Sequence, residues 1–167
     1  MSNRVKVLGI DTGIAIAGWA IVDKASGTST KDNLIDCGVV ITESKDDPGK
    51  RLGVIFEGIL QVIENYKPDV VAVESLFYFK NQKTVMSVSQ ARGVILLAAE
   101  KAGLKVYDYT PLQVKTAVTG YGRADKKQVQ KMVKLIYGLA EVPKPDDAAD
   151  AVAVATCHLH TNHNKIF

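Results

Sequence analysis

A chain of 167 residues with 47% hydrophobic content is long and apolar enough to close one sizeable core. Its longest apolar runs, Val94 to Ala99 and Ala151 to Ala155, fall far short of the roughly 20 residues needed to cross a bilayer, which argues against a membrane-spanning helix. The formal net charge of +3 hides an asymmetry: Lys101 to Tyr137 carries eight basic and two acidic residues, a net +6, while the remainder, with 13 basic and 16 acidic, carries −3. A basic segment set against an acidic remainder suits a polyanionic partner, although a lysine-rich solvated helix face would read the same way.

Met1-Ser2-Asn3-Arg4 leads directly into Val5 to Asp11, a mostly apolar strand, without the apolar leader of an exported protein, so a cytoplasmic location is expected. Gly18 to Val22 reads as a second strand and Asn33 to Thr42 as a third, with Ser26 to Thr30 as a hairpin loop. Strands this close together pair antiparallel, because a parallel crossover needs a dozen or more residues. Cys37 in the third strand and Cys157 near the C-terminus have apolar neighbours and no CxxC partner, which predicts buried reduced thiols.

Leu52, Ile55, Phe56, Ile59, Leu60 and Ile63 recur at helical spacing between Lys50 and Tyr66, and Lys67-Pro68-Asp69 ends that helix. Val70 to Val73 is a buried strand ending at Glu74. A helix from about Thr84 to Ala102 follows, stopped by Gly103, then a strand from Lys105 to Tyr109. Thr110-Pro111 opens the next helix by an N-cap and a first-turn proline. Gly120 and Gly122 break the chain before an amphipathic helix from Asp125 to Tyr137, and a last helix runs from about Asp147 to His160 after Pro143-Lys144-Pro145. Three meander strands followed by alternating helices and strands predict a mixed α/β sheet flanked by helices, in one domain over 1–160 with a short polar tail over 161–167.

Four acids stand where chain segments leave the core. Asp11 and Glu74 end strands, and Asp147 and Asp150, three apart, share a face at the start of the last helix. If that helix packs beside the first strand, all four converge, and crowded carboxylates repel unless a cation joins them. Mg²⁺ or Mn²⁺ suits hard oxygen ligands, and two ions about 4 Å apart could divide the work of phosphodiester hydrolysis. Each acid also has an ordinary reading: Asp11 as a turn residue before Thr12-Gly13, and Asp146 or Asp147 as a helix cap. Asp-Thr-Gly after a strand also occurs in actin-type phosphotransferases, but those carry a second glycine-rich phosphate loop and a second domain, which this chain lacks.

The segments Gly9-Ile10-Asp11-Thr12-Gly13 with Gly18-Trp19, Glu74-Ser75-Leu76-Phe77 running to Lys80-Asn81, Ser89-Gln90-Ala91-Arg92-Gly93-Val94, Gln113-Val114-Lys115, Lys126 to Val133, and Asp147-Ala148-Ala149-Asp150-Ala151 together resemble the RuvC family of Holliday junction resolvases. The resemblance spans nearly the whole chain and implies an RNase H-like fold and a metal-dependent endonuclease of recombination and repair. By position it implies Mg²⁺ ligation by Asp11, Glu74, Asp147 and Asp150, with Mn²⁺ able to substitute and two ions per site. Phe77 is implied in junction contact, and Lys115 and Lys126, with Lys127 beside them, in phosphate contact.

The resemblance further implies a homodimer on a four-way DNA junction, making two symmetric nicks that leave 5′-phosphates and 3′-hydroxyls, alongside a branch-migration motor of the RuvAB kind. A two-fold substrate calls for a two-fold enzyme. The helix from Thr84 to Ala102, with Met86, Val88, Val94, Ile95 and Leu97, holds more apolar positions than one buried stripe needs and is the candidate dimer surface. Two departures stand out. Thr12 replaces the proline usual after the first aspartate, and the C-terminus is short, with His158, His160 and His163 reading as a frayed polar tail rather than a zinc site. Other branched DNA or RNA as substrate, and a junction-binding scaffold without catalysis, are the alternative functions.

Overall fold

The computed structural model describes residues 5–24, 31–75 and 84–161. Phe77, the Ser26 to Thr30 loop, the Lys80-Asn81 pair and His163 lie outside the described residues. The elements in chain order are β1 (Val5–Asp11), β2 (Ile16–Lys24), β3 (Asp32–Ile41), α1 (Pro48–Tyr66), β4 (Val70–Glu74), α2 (Val85–Lys101), β5 (Lys105–Tyr109), α3 (Pro111–Thr119), α4 (Lys126–Tyr137) and α5 (Asp146–His160). They form one sheet of order β3-β2-β1-β4-β5, in which β1, β2 and β3 pair antiparallel while β4 and β5 run parallel to β1. This is the mixed sheet expected from the sequence.

Strand parity divides the core into two layers. Leu8, Ile10, Ile21, Val71 and Val73 face α1 and α2, meeting Ile55, Ile59, Ala91 and Ile95. Val7, Ala20, Val22 and Ala72 face the other way, onto α3, α4 and α5. Asp11 and Glu74 each stand an even number of residues from Val7 and Ala72, so both carboxylates belong to the α5 side. The parallel register Ile10↔Val73 places Asp11 and Glu74 side by side at the adjacent strand ends.

Helix α5 approaches this face more closely than ordinary side chains would permit. A Cβ on Gly9 would lie 2.3 Å from the Ala151 carbonyl oxygen, and one on Gly18 would lie 2.0 Å from that of Asp147. Gly18 is the cross-strand neighbour of Asp11. Its missing side chain therefore admits the first turn of α5 directly beside the Asp11 carboxylate. The alanines at 148, 149, 151, 153 and 155 give the helix a matching shallow surface, and all are buried.

Local signals set the helix starts. Thr110 caps α3 and Asp125 caps α4, each in a reciprocal capping box with a glutamine three residues on, Gln113 and Gln128. The N-cap of α5 is Pro145, and no side chain caps it, so Asp146 and Asp147 are not helix caps. Their charges instead lie at the positive end of the helix dipole, where carboxylates are favoured.

Three other sequence expectations need correction. Cys157 is buried, but Cys37, on the outermost strand, is only half-buried; both are free thiols. His158 and His160 are not frayed: His158 is buried with Nδ1 2.7 Å from the Tyr109 hydroxyl, and His160 Nε2 lies 2.6 Å from Asp32 Oδ2. Both fasten the end of α5 to the sheet. On α2, Ile95 is fully buried and leaves the candidate dimer surface, whereas Met86 and Leu97 are 75% and 51% exposed. No helix among the described residues is long and apolar enough to cross a membrane.

Candidate active site

A cleft of about 420 Å³ opens where β1 and β4 end against α5, walled by Asp11, Thr12, Glu74, Ser75, Lys115, Lys126 and Asp150. Each wall has a separate source. The strand ends supply Asp11 and Glu74, α5 supplies Asp150, and the middle of α3 and the start of α4 bring Lys115 and Lys126 from the basic segment. The loop leaving Glu74 is held to the sheet by the Ser75 amide donating to the Tyr109 carbonyl at 2.8 Å.

Charge crowding in the cleft is strong. Burial, then the negative charges of Asp150, Glu74 and Asp147, push the Asp11 carboxyl from 3.8 up to about 7, against a smaller downward pull from Lys126. Burial also raises Asp150, with Lys126 opposing. The structure thus brings Asp11, Glu74 and Asp150 to one cleft. Asp147 is not on the cleft wall but is near enough for its charge to act on Asp11.

The lysines separate. Lys115 and Lys126 line the cleft, while Lys127 is exposed and outside it. The Lys126 ammonium lies 2.9 Å from Asp150 Oδ2 and 3.3 Å from Asp146 Oδ2. Burial alone would lower its pKa, but the two carboxylates outweigh that and hold it above the ordinary lysine value. Among the described residues, no three His, Cys, Asp or Glu side chains are arranged to hold a metal ion. The all-oxygen donor set, and an Asp11 carboxylate that is costly to ionise without a cation, still fit hard divalent ions better than any other group.

Two features of the site were not singled out as functional from the sequence. Asp146 shares a helix face with Asp150 at i and i+4, a spacing that could have flagged it as a second partner for a lysine. Thr12 lines the cleft with its hydroxyl oxygen buried and without a hydrogen-bond partner, and nothing local in the sequence marks that. An unmade buried hydrogen bond costs about 1–3 kcal/mol. Thr12→Val, which keeps the shape and deletes the hydroxyl, is expected to stabilise the protein by about 1 kcal/mol in urea unfolding; a loss of stability would mean that the hydroxyl has a partner in solution.

Some residues of the segments that carry the resemblance make contacts within the fold. Arg92 pairs with Asp108 across α2 and β5, and Gln113 closes the capping box of α3.

The family profile for "Crossover junction endodeoxyribonuclease RuvC" matches residues 7–158. The protein of that description from Caldanaerobacter subterraneus subsp. tengcongensis is 50% identical over 159 residues, covering 95% of this chain and 94% of its own. Among solved structures, Thermus thermophilus RuvC in complex with Holliday junction substrate superposes with a TM-score of 0.86 at 38% identity, covering 93% of each chain. The yeast mitochondrial Holliday junction resolvase shares the fold, with a TM-score of 0.66 at 16% identity, covering 93% of this chain and 79% of its own. With the fold, the cleft and these likenesses in agreement, the chain belongs to the RuvC family of crossover junction endodeoxyribonucleases, on an RNase H-like fold.

Proposed function

We propose that this enzyme resolves four-way DNA junctions by paired, symmetric, Mg²⁺-dependent nicks that leave 5′-phosphates and 3′-hydroxyls. The observation that carries the reading is the convergence of Asp11, Glu74 and Asp150 in a cleft whose other wall holds Lys115 and Lys126. Asp11, Glu74 and Asp150, with Asp147 beside them, are the residues to hold two divalent cations. Cations held there would supply charge neutralisation at the phosphate and would lower the pKa of an attacking water. Mn²⁺, with similar ligand preferences, is expected to substitute.

The protein's own share is positioning and electrostatics. Lys115 and Lys126 face the cleft from α3 and α4, where they can hold non-bridging phosphate oxygens as negative charge builds on them. Lys127, exposed beside them, is assigned to the duplex backbone outside the cleft. The basic segment thus binds the flanks while the acidic cleft performs the chemistry, a division that keeps affinity separate from cutting. Phe77, three residues past Glu74, is assigned to stacking on a base at the opened branch point, where an aromatic ring contributes on the order of 1–3 kcal/mol.

A second copy would dock over α2, where Met86 and Leu97 are exposed, giving a two-fold dimer that presents two clefts to a two-fold substrate. A branch-migration motor of the RuvAB kind is the natural partner at the same junction, and the cytoplasm its place of action.

The deciding experiment is cutting of a synthetic four-way junction, compared with linear duplex and with branched RNA, with Mg²⁺ and with chelator. Paired nicks on the DNA junction alone, dependent on the cation, are expected. Equal cutting of linear duplex or of RNA would redirect the assignment. Lys115→Ala is expected to lower the magnitude of the log–log salt slope of junction binding by about one, the signature of one lost phosphate contact. An unchanged slope would place Lys115 off the DNA.

A further inference from the structure

Lys126 is the first residue of α4, fixed in place by the Asp125 capping box. A cation at that position faces the positive end of its own helix dipole, which is unfavourable, so it gains by reaching across to α5. There it meets two carboxylates one helical turn apart: Asp150, 2.9 Å away and lining the cleft, and Asp146, 3.3 Å away and not part of the cleft lining. Asp146 has 59% of its side chain exposed, against 30% for Asp150. The ammonium therefore bridges one carboxylate of the cleft lining and one outside it.

We propose that Lys126 is a built-in counterion that occupies Asp150 while no divalent cation is bound, and that Asp146 is the carboxylate onto which it withdraws when a cation takes Asp150. The proposal rests on the metal-dependent reading above and adds a role for Asp146, a positioning residue that acts through Lys126 without touching the metal. A divalent ion and an ammonium cannot share Asp150 cheaply: unit and double charges a few ångströms apart, even at water-like screening, oppose each other by about tenfold in affinity. Retreat to Asp146 relieves that repulsion and keeps the ammonium beside the cleft, within reach of an incoming phosphate. The exchange is inexpensive because Lys126 is itself half exposed, and exposed ion pairs are weakly held.

The test is calorimetric titration of the intact, DNA-free protein with Mn²⁺ and with Mg²⁺. Lys126→Met should tighten cation binding by about tenfold. Asp146→Asn should weaken it by about threefold, because Lys126 then has no second partner and stays on Asp150. In the Lys126→Met background most of the Asp146→Asn effect should vanish, and Asp146→Glu should restore wild-type binding. Lys126→Gln replaces Lys126→Met should the latter melt early. An equal loss from Asp146→Asn in both backgrounds would make Asp146 a direct ligand or a mere long-range charge, and no loss in either would remove it from the site; both overturn the exchange while leaving the metal site standing. Absence of any cation binding by the wild type would overturn the metal site and the exchange together.

Discussion

Asp11→Asn is expected to abolish junction cutting and, in the absence of divalent cations, to raise the stability of the protein. Burial and three neighbouring carboxylates lift Asp11 from 3.8 to about 7, so the ionised form is disfavoured in the folded state relative to the unfolded chain. A rise of that size corresponds to roughly 4 kcal/mol of unfavourable interaction at full ionisation. The sign follows from linkage: the folded state binds the Asp11 proton more tightly, so the contribution of this group to stability is most favourable below about pH 4 and is lost as pH rises toward 7.

Asparagine carries no charge and escapes this penalty, giving a metal-free variant several degrees more heat-stable at pH 8 and no more stable than wild type at pH 4. Saturating Mg²⁺ should narrow the gap at pH 8 by stabilising the wild type alone. Cutting should fall by about a thousandfold or more, since one removed ligand weakens both cation holding and charge stabilisation of the transition state. Thermal melts over a pH series, with and without Mg²⁺, check the first part, and junction cutting checks the second. A variant less stable than wild type at pH 8 without cations would mean that Asp11 is satisfied in the folded protein.

Gly18→Ala is expected to be severely destabilising and to cost cutting as well. The added methyl would lie 2.0 Å from the Asp147 carbonyl oxygen and 2.4 Å from its carbonyl carbon, contacts that backbone cannot yield without moving the first turn of α5. Overpacking against backbone costs about 3 kcal/mol or more. In a chain of this size that is a fall of about 10 °C in Tm. The same shift would carry Asp147 and Asp150 away from Asp11, so residual folded protein should cut poorly. Gly53→Ala is the control: it lies within α1 with nothing inside 4 Å of the added Cβ, and should stabilise by about 0.5–1 kcal/mol through helix propensity. If Gly18→Ala melts like wild type, α5 is not held against β2 as described.

The sequence by itself determined the elements and their order, because the signals for them are short-range. Thr110-Pro111 with Gln113 and Asp125 with Gln128 carry their own cap partners within one turn, and the Val70 to Val73 run needs only its β-branched side chains to read as a strand. It also determined that Asp11 and Glu74 each end a strand, and period-two parity relates each carboxylate to the apolar residues on its face; that the two strands are neighbours was decided by the parallel pairing of β1 with β4. The resemblance to the RuvC family marked the four acids and Lys115 and Lys126 together. Tertiary packing decided what those acids experience. Asp150 enters the cleft and Asp147 stays off its wall only because Gly9 and Gly18 let α5 sink onto the sheet, more than a hundred residues away in sequence. The partnering of Lys126 with Asp146 as well as Asp150, the orphaned Thr12 hydroxyl, and the docking of His158 and His160 where the sequence reads as a polar tail are likewise tertiary contacts that no local signal carries. Hydropathy and spacing record which face of an element is apolar, but not how near two such faces come; that distance is set by the side-chain volume between them, and here it is the absence of a single methyl group at Gly18 that puts the last helix beside Asp11.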